Sequence, residues 1–143
     1  MARGFTARAE IVILAPAERV WEALVTPALI KEYLFGTEAS SDWRVGSAIT
    51  YRGVWQGKPY EDKGVIEELV PNARYQSTYW SPMSGTPDLP ENYSTVTWEL
   101  EGAPGGTLLR VSQDNNPTEE SASHSKGNWE MVLGKIKELL ERG

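Results

Sequence analysis

Near its end the chain reads Trp129-Glu130-Met131-Val132-Leu133-Gly134-Lys135-Ile136-Lys137-Glu138-Leu139-Leu140. Trp129, Val132, Leu133, Ile136, Leu139 and Leu140 recur at helical spacing and form one apolar stripe. Asn116 is expected to cap this helix, with Pro117 at its first position and Glu119 two later, an Asn-x-x-Glu capping box. Lys135, Lys137 and Arg142 oppose the helix dipole at the far end. A single long amphipathic helix must lie against something, and the chain before it reads as sheet.

Working back from the helix, short alternating runs are separated by turn clusters. Thr107 to Gln113 and Tyr93 to Glu101 flank Gly102-Ala103-Pro104-Gly105-Gly106, a hairpin connection. Arg74 to Trp80 is a strand before a long loop holding Pro82, Gly85, Pro87 and Pro90. Lys63 to Val70 is another, ended by Pro71-Asn72, and Glu67-Glu68 marks a bulge within it. Ile49 to Trp55 is a third, left through Gln56-Gly57-Lys58-Pro59. Short turns between neighbours imply an antiparallel meander.

The opening differs. Phe5 to Leu14 is a strand. Val20, Trp21, Leu24 and Val25 then fall on one face of a short helix that Pro16 starts. Thr26-Pro27 ends that helix and caps a second, with Leu29, Ile30, Tyr33 and Leu34 on one face and Gly36 as its stop. The expected order is β–α–α, five or six strands, then the long helix. That is an α+β fold in a single domain over residues 1–143, with a curved antiparallel sheet of six to seven strands. One helix fills only part of such a concavity. The remainder is a pocket between sheet, long helix and the two short helices.

Composition narrows the function. At 143 residues, 40% hydrophobic and 24% charged, the chain suits one folded domain. No cysteine is present, which excludes disulfides, thiolate metal sites and a cysteine nucleophile. A net charge of −6 argues against nucleic acid and against an anionic membrane surface. No apolar run approaches the roughly 18 residues of a membrane span. The N-terminal residues carry no apolar leader segment, so a cytoplasmic protein is expected. One histidine makes zinc improbable, and no phosphate-binding loop, dinucleotide fingerprint or nucleophile elbow is present. No metal, cofactor or catalytic residue is expected. Six Trp and six Tyr against two Phe suit a wet apolar wall, since Trp and Tyr join an apolar body to a polar tip.

Alternation selects the residues that face the pocket. In the Arg74 strand either Tyr75, Ser77 and Tyr79 face inward or Gln76, Thr78 and Trp80 do. The first set is preferred, as two tyrosines and a serine make an apolar wall with polar tips. Ile49, Tyr51 and Trp55, Val96 and Trp98, and Leu109, Val111 and Gln113 join it. Trp129 and Leu133 face it from the helix. Tyr51, Tyr75, Tyr79 and Gln113 would orient a ligand, while Trp55, Trp98 and Trp129 supply flat area. The Ser81 to Asn92 loop is long enough to serve as a lid.

The run Ala15-Pro16-Ala17-Glu18-Arg19-Val20-Trp21-Glu22-Ala23-Leu24, then Thr26-Pro27, Tyr33 and Gly36, resembles the opening of the activator of Hsp90 ATPase homologue-like family. Asp42-Trp43-Arg44-Val45-Gly46-Ser47, Gly64-Val65-Ile66-Glu67-Glu68-Leu69-Val70-Pro71, Thr107-Leu108-Leu109 and His124 with Gly127-Asn128-Trp129 continue the resemblance, from about Thr6 to Leu140. The family lies in the START-like, or SRPBCC, ligand-binding superfamily. The resemblance implies a helix-grip fold, a curved sheet gripping the C-terminal helix around a cavity.

The leading expectation is a binding protein for a small apolar or aromatic molecule of lipid or polyketide-like type. Two others stand beside it. One is an enzyme of cyclase or hydrolase type in the same cavity, with His124, Asp114 or an inward tyrosine as its titratable group. The other is a protein–protein module with a chaperone as partner. A Trp-rich edge also suits a homodimer.

Overall fold

The computed structural model describes residues 4–142, with the side chains of all of these except Trp55 and Met83. Seven strands form one antiparallel sheet: β1 (Phe5–Ile13), β2 (Glu38–Ser41), β3 (Ala48–Trp55), β4 (Lys58–Val70), β5 (Arg74–Tyr79), β6 (Ser94–Ala103) and β7 (Gly106–Asn116). Their spatial order is β1-β7-β6-β5-β4-β3-β2, so the first strand returns to pair with the last. Two short helices, α1 (Ala17–Val25) and α2 (Pro27–Tyr33), follow β1, and α3 (Glu119–Glu141) closes the chain. This is the expected helix-grip architecture. None of these helices is long and apolar enough to cross a membrane.

β4 gives the sheet its bend. Its first half pairs with β3, from Lys58 opposite Trp55 to Val65 opposite Ala48. Its second half pairs with β5, and the register shifts between Ile66 and Glu68, where the Glu67-Glu68 bulge was expected. At the crossover Lys63 and Trp80 exchange backbone hydrogen bonds of 2.9 and 2.8 Å. The β5 backbone passes so close that a Cβ on Gly64 would stand 1.8 Å from the Thr78 carbonyl oxygen. Only glycine fits there.

Three details differ from the sequence reading. β4 starts at Lys58, because Gln56 and Gly57, both with positive φ, make the whole turn. Pro59 sits beyond the end of β5, where one edge of β4 is unpaired by that strand, so its missing amide is tolerated. β2, a short edge strand beside β3, was not anticipated. The cap of α3 is Thr118, whose hydroxyl accepts from the Ser121 amide at 3.0 Å. Asn116 instead ends β7. Its side-chain amide donates to the carbonyls of Phe5 and Gln113, both at 3.0 Å, and its oxygen accepts from Ser125 at 2.9 Å. Asn116 thereby ties β1 and β7 to α3.

The two halves of α3 serve different ends. Val132, Leu133, Ile136 and Leu140 are buried. In the same half, Lys137 donates to the Val12 carbonyl at 3.0 Å and the Glu141 carboxylate accepts from the Leu14 amide at 2.8 Å. These contacts press the C-terminal half onto β1. The segment from Glu119 to Asn128 has no buried residue and is rich in Ser, at 121, 123 and 125. It rises over the concave face and leaves space beneath it.

Candidate functional site

That space is a cavity of about 700 Å³. β3, β4 and β5 contribute Tyr51, then Tyr60 and Asp62, then Tyr75, Ser77 and Tyr79. β6 and β7 contribute Val96, Trp98 and Gln113. Helix α3 contributes His124, Ser125, Asn128 and Trp129 from one face of its first half, and Val132 from the start of its second. Leu24 of α1, with Ile30, Tyr33, Leu34, Phe35 and Thr37 of α2 and the turn after it, make the opposite wall, and Ser81 and Ser84 reach in from the loop after β5.

Many of the polar tips are already engaged. The Tyr33 hydroxyl donates to the Ala23 carbonyl at 2.9 Å and thereby locks α1 to α2. Thr37 and Tyr60 share a hydrogen bond of 2.5 Å. Trp129 Nε1 donates to Gln113 Oε1 at 2.9 Å, and its ring stands edge-on to Trp98 with centroids 5.4 Å apart. Tyr51 and Tyr75 face each other hydroxyl to hydroxyl at 3.5 Å. One of the two donates in that contact, and the other keeps its proton for something else. Tyr79 donates to Asp62 Oδ2 at 2.5 Å.

Burial raises the pKa of Tyr33, Tyr51, Tyr75 and Tyr79 above the usual tyrosine range, and the Asp62 charge adds to this at Tyr79. All four are neutral hydroxyls at ordinary pH.

Asp62 is the outlying residue of the wall. It is 9% exposed, and its Oδ1 has no hydrogen-bond partner among the described residues. In register it lies directly across from Tyr51. No lysine or arginine lines the cavity among the described residues. The neighbouring Lys63 is ion-paired with Asp88 at 2.5 Å.

Of the residues expected from sequence, Tyr51, Tyr75, Ser77, Tyr79, Val96, Trp98, Gln113 and Trp129 line this cavity. Ile49, Leu109, Val111 and Leu133 face the same way but are fully covered and belong to the packed core. The Trp55 side chain lies outside the described residues. His124 stands on the wall, with its side chain also open to solvent. Asp114 is not on the wall; its carboxylate accepts from the Thr95 amide at 2.6 Å and secures β6 to β7.

The sequence reading missed Asp62 and Tyr60, although their alternation with Gly64 and Ile66 continues the inward face of β4. It set the pocket against the two short helices but named none of their residues on its wall, where Ile30 and Tyr33 of α2 stand. Phe35 was unexpected too. It holds a left-handed φ of 55°, is 63% exposed and lies under the Lys135 ammonium, 5.4 Å from ring centre to nitrogen. The loop from Ser81 to Asn92 carries its own bonding. Trp80 stacks on Tyr93, Tyr93 donates to Asp88 at 2.6 Å, and Asn92 donates to the Pro87 carbonyl at 2.9 Å.

Residues 14–141 match the family described as Activator of Hsp90 ATPase homolog 1-like protein. No curated protein matches the chain. Among solved structures, ChR145 from Cytophaga hutchinsonii is 46% identical, with 99% of this chain and 97% of that chain covered and a TM-score of 0.86. CV1439 from Chromobacterium violaceum is 26% identical, with 95% and 96% covered and a TM-score of 0.80. DynU16, a protein of the dynemicin biosynthetic locus, shares the fold at 19% identity and a TM-score of 0.79, with 95% of this chain and 47% of that chain covered.

Proposed function

The chain belongs to the activator of Hsp90 ATPase homolog 1-like family, and we propose that it uses the cavity of this fold to bind a small hydrophobic or aromatic molecule of lipid or polyketide-like type. The observation that carries this reading is the wall itself. A space of about 700 Å³ lies within the range of small-molecule sites, and flat aromatic rings with a few polar tips are the usual lining of such sites. A sheet and helix packed only for stability would close over it, since protein interiors tolerate few voids larger than a water molecule. Tyr33, Tyr60 and Gln113 have their polar atoms tied within the wall, which leaves rings and methyl groups to meet an apolar body.

Thermal shift against fatty acids, sterols, flavonoid-like rings and polyketide-like aromatics tests the reading. A ligand at a hundredfold over its Kd stabilises by roughly 2.7 kcal/mol. A selective shift that Trp98→Ala removes supports it. A flat response to the whole panel, or a shift indifferent to Trp98→Ala and Tyr79→Ala alike, would overturn it.

A further inference from the structure

Resting on that binding reading, we infer that the cavity selects compact aromatic molecules carrying a hydrogen-bond donor, an ammonium above all, and discriminates against carboxylates, with Asp62 as the anchoring group. Three observations converge on Asp62. It is on the cavity wall yet nine-tenths buried, so its carboxylate is largely removed from bulk water. One oxygen is satisfied by Tyr79 at 2.5 Å, while the other has no partner among the described residues. No lysine or arginine on the described wall offsets it, and Lys63 next to it in sequence is engaged with Asp88.

A carboxylate oxygen left unpaired in such surroundings is costly, and a group that donates to it recovers that cost on binding. A protonated amine recovers most, because the hydrogen bond is charge-assisted. A hydroxyl recovers part. An incoming carboxylate meets a like charge and finds no lysine or arginine on the described wall to receive it. The rings around Asp62 suit the rest of such a molecule. Tyr51 lies opposite it in register and Tyr79 beside it, with the two ring centroids 6.4 Å apart. Tyr79 fixes the carboxylate through Oδ2, and Oδ1, which has almost no exposed surface, is the acceptor that a ligand head group must uncover and satisfy.

The test uses three probes with one ring and different heads: naphthylethylamine, naphthylethanol and naphthylacetate, titrated calorimetrically into the full chain. The expected order is amine, then alcohol, then acetate, with amine and acetate separated by about tenfold or more. Asp62→Asn should bring amine and acetate within about threefold of one another. Tyr79→Phe keeps the carboxylate and should preserve the order. Acetate binding as tightly as amine to the wild type overturns the inference, as does an unchanged order in Asp62→Asn. Should Asp62→Asn fail to fold, the wild-type order and Tyr79→Phe still decide. Binding of the wider panel without any dependence on the head group sinks this inference alone. Absence of binding by every probe and every panel member sinks the cavity reading beneath it.

Discussion

Replacing Gly64 by Ala should unfasten the sheet at the place where it bends. A Cβ at residue 64 stands 1.8 Å from the Thr78 carbonyl oxygen and 2.6 Å from its carbon, both backbone atoms that no rotamer change can move. To reach even a 3.0 Å contact, β4 and β5 must part by 3.0 − 1.8, or about 1.2 Å. That displacement strains the two Lys63–Trp80 backbone hydrogen bonds and the bond from the Val65 amide to Thr78 Oγ1, each 2.8–2.9 Å now. Overpacking of this kind costs about 1–3 kcal/mol, and each hydrogen bond lost about 1 kcal/mol more, so a total near 4 kcal/mol is expected. The melting temperature should fall by roughly 10 °C. Urea unfolding followed by tryptophan fluorescence measures it, with Gly102→Ala as the matched control. Gly102 also lies in a strand, but nothing stands within 4 Å of a Cβ there. The control should stay within about 0.5 kcal/mol of the wild type. A Gly64→Ala protein as stable as the Gly102→Ala protein would refute the close approach of β5 to β4.

Asn116→Ala should cost about 2 kcal/mol in the same assay, since it strips partners from the carbonyls of Phe5 and Gln113 and from Ser125 together. Stability should fall above about pH 10: the unfolded chain then releases tyrosine protons that burial keeps on Tyr33 and Tyr75 in the fold, up to about 1.4 kcal/mol per pH unit for each. The contribution is whole below the unfolded pKa and is lost progressively as pH rises from there through the raised pKa of the fold. Phenolate absorbance from these two residues should therefore appear only together with unfolding, and its appearance in the folded protein would contradict their burial. Ser77→Phe, which sets a ring on the cavity floor, should abolish ligand-induced thermal shifts while the far-ultraviolet circular dichroism stays native.

The order of elements was legible because each carries its own period and its own punctuation: Thr26-Pro27 between the short helices, Gly102 to Gly106 between β6 and β7. Tyr75, Ser77 and Tyr79 were legible as an inward set because a strand's two faces differ in kind. Asp62 was hidden by Pro59, which reads as the end of a turn. It is tolerated because β4 outruns β5 at that point, a property of the pairing and not of the local residues. Leu109 and Val111 show a second limit. They face inward as surely as Gln113 on the same strand, but are sealed in the core while Gln113 meets open space. Where α3 descends onto the sheet decides which is which, and no strand's own alternation reports the path of a distant helix. Asn116 failed for a related reason, since an asparagine before a proline and a glutamate suits a cap as well as a strand end.

The divided labour of α3 has a bearing on how such a domain could be remodelled. Ile136, Leu140, Lys137 and Glu141 fasten the helix to β1 without touching the cavity, whereas His124 and Asn128 line the cavity and stay exposed. A combinatorial library restricted to those two positions would vary what the chamber accepts at little expense to folding. One helix thus supplies both the hinge pin and an exchangeable panel, and a new cargo would require changes to the panel alone.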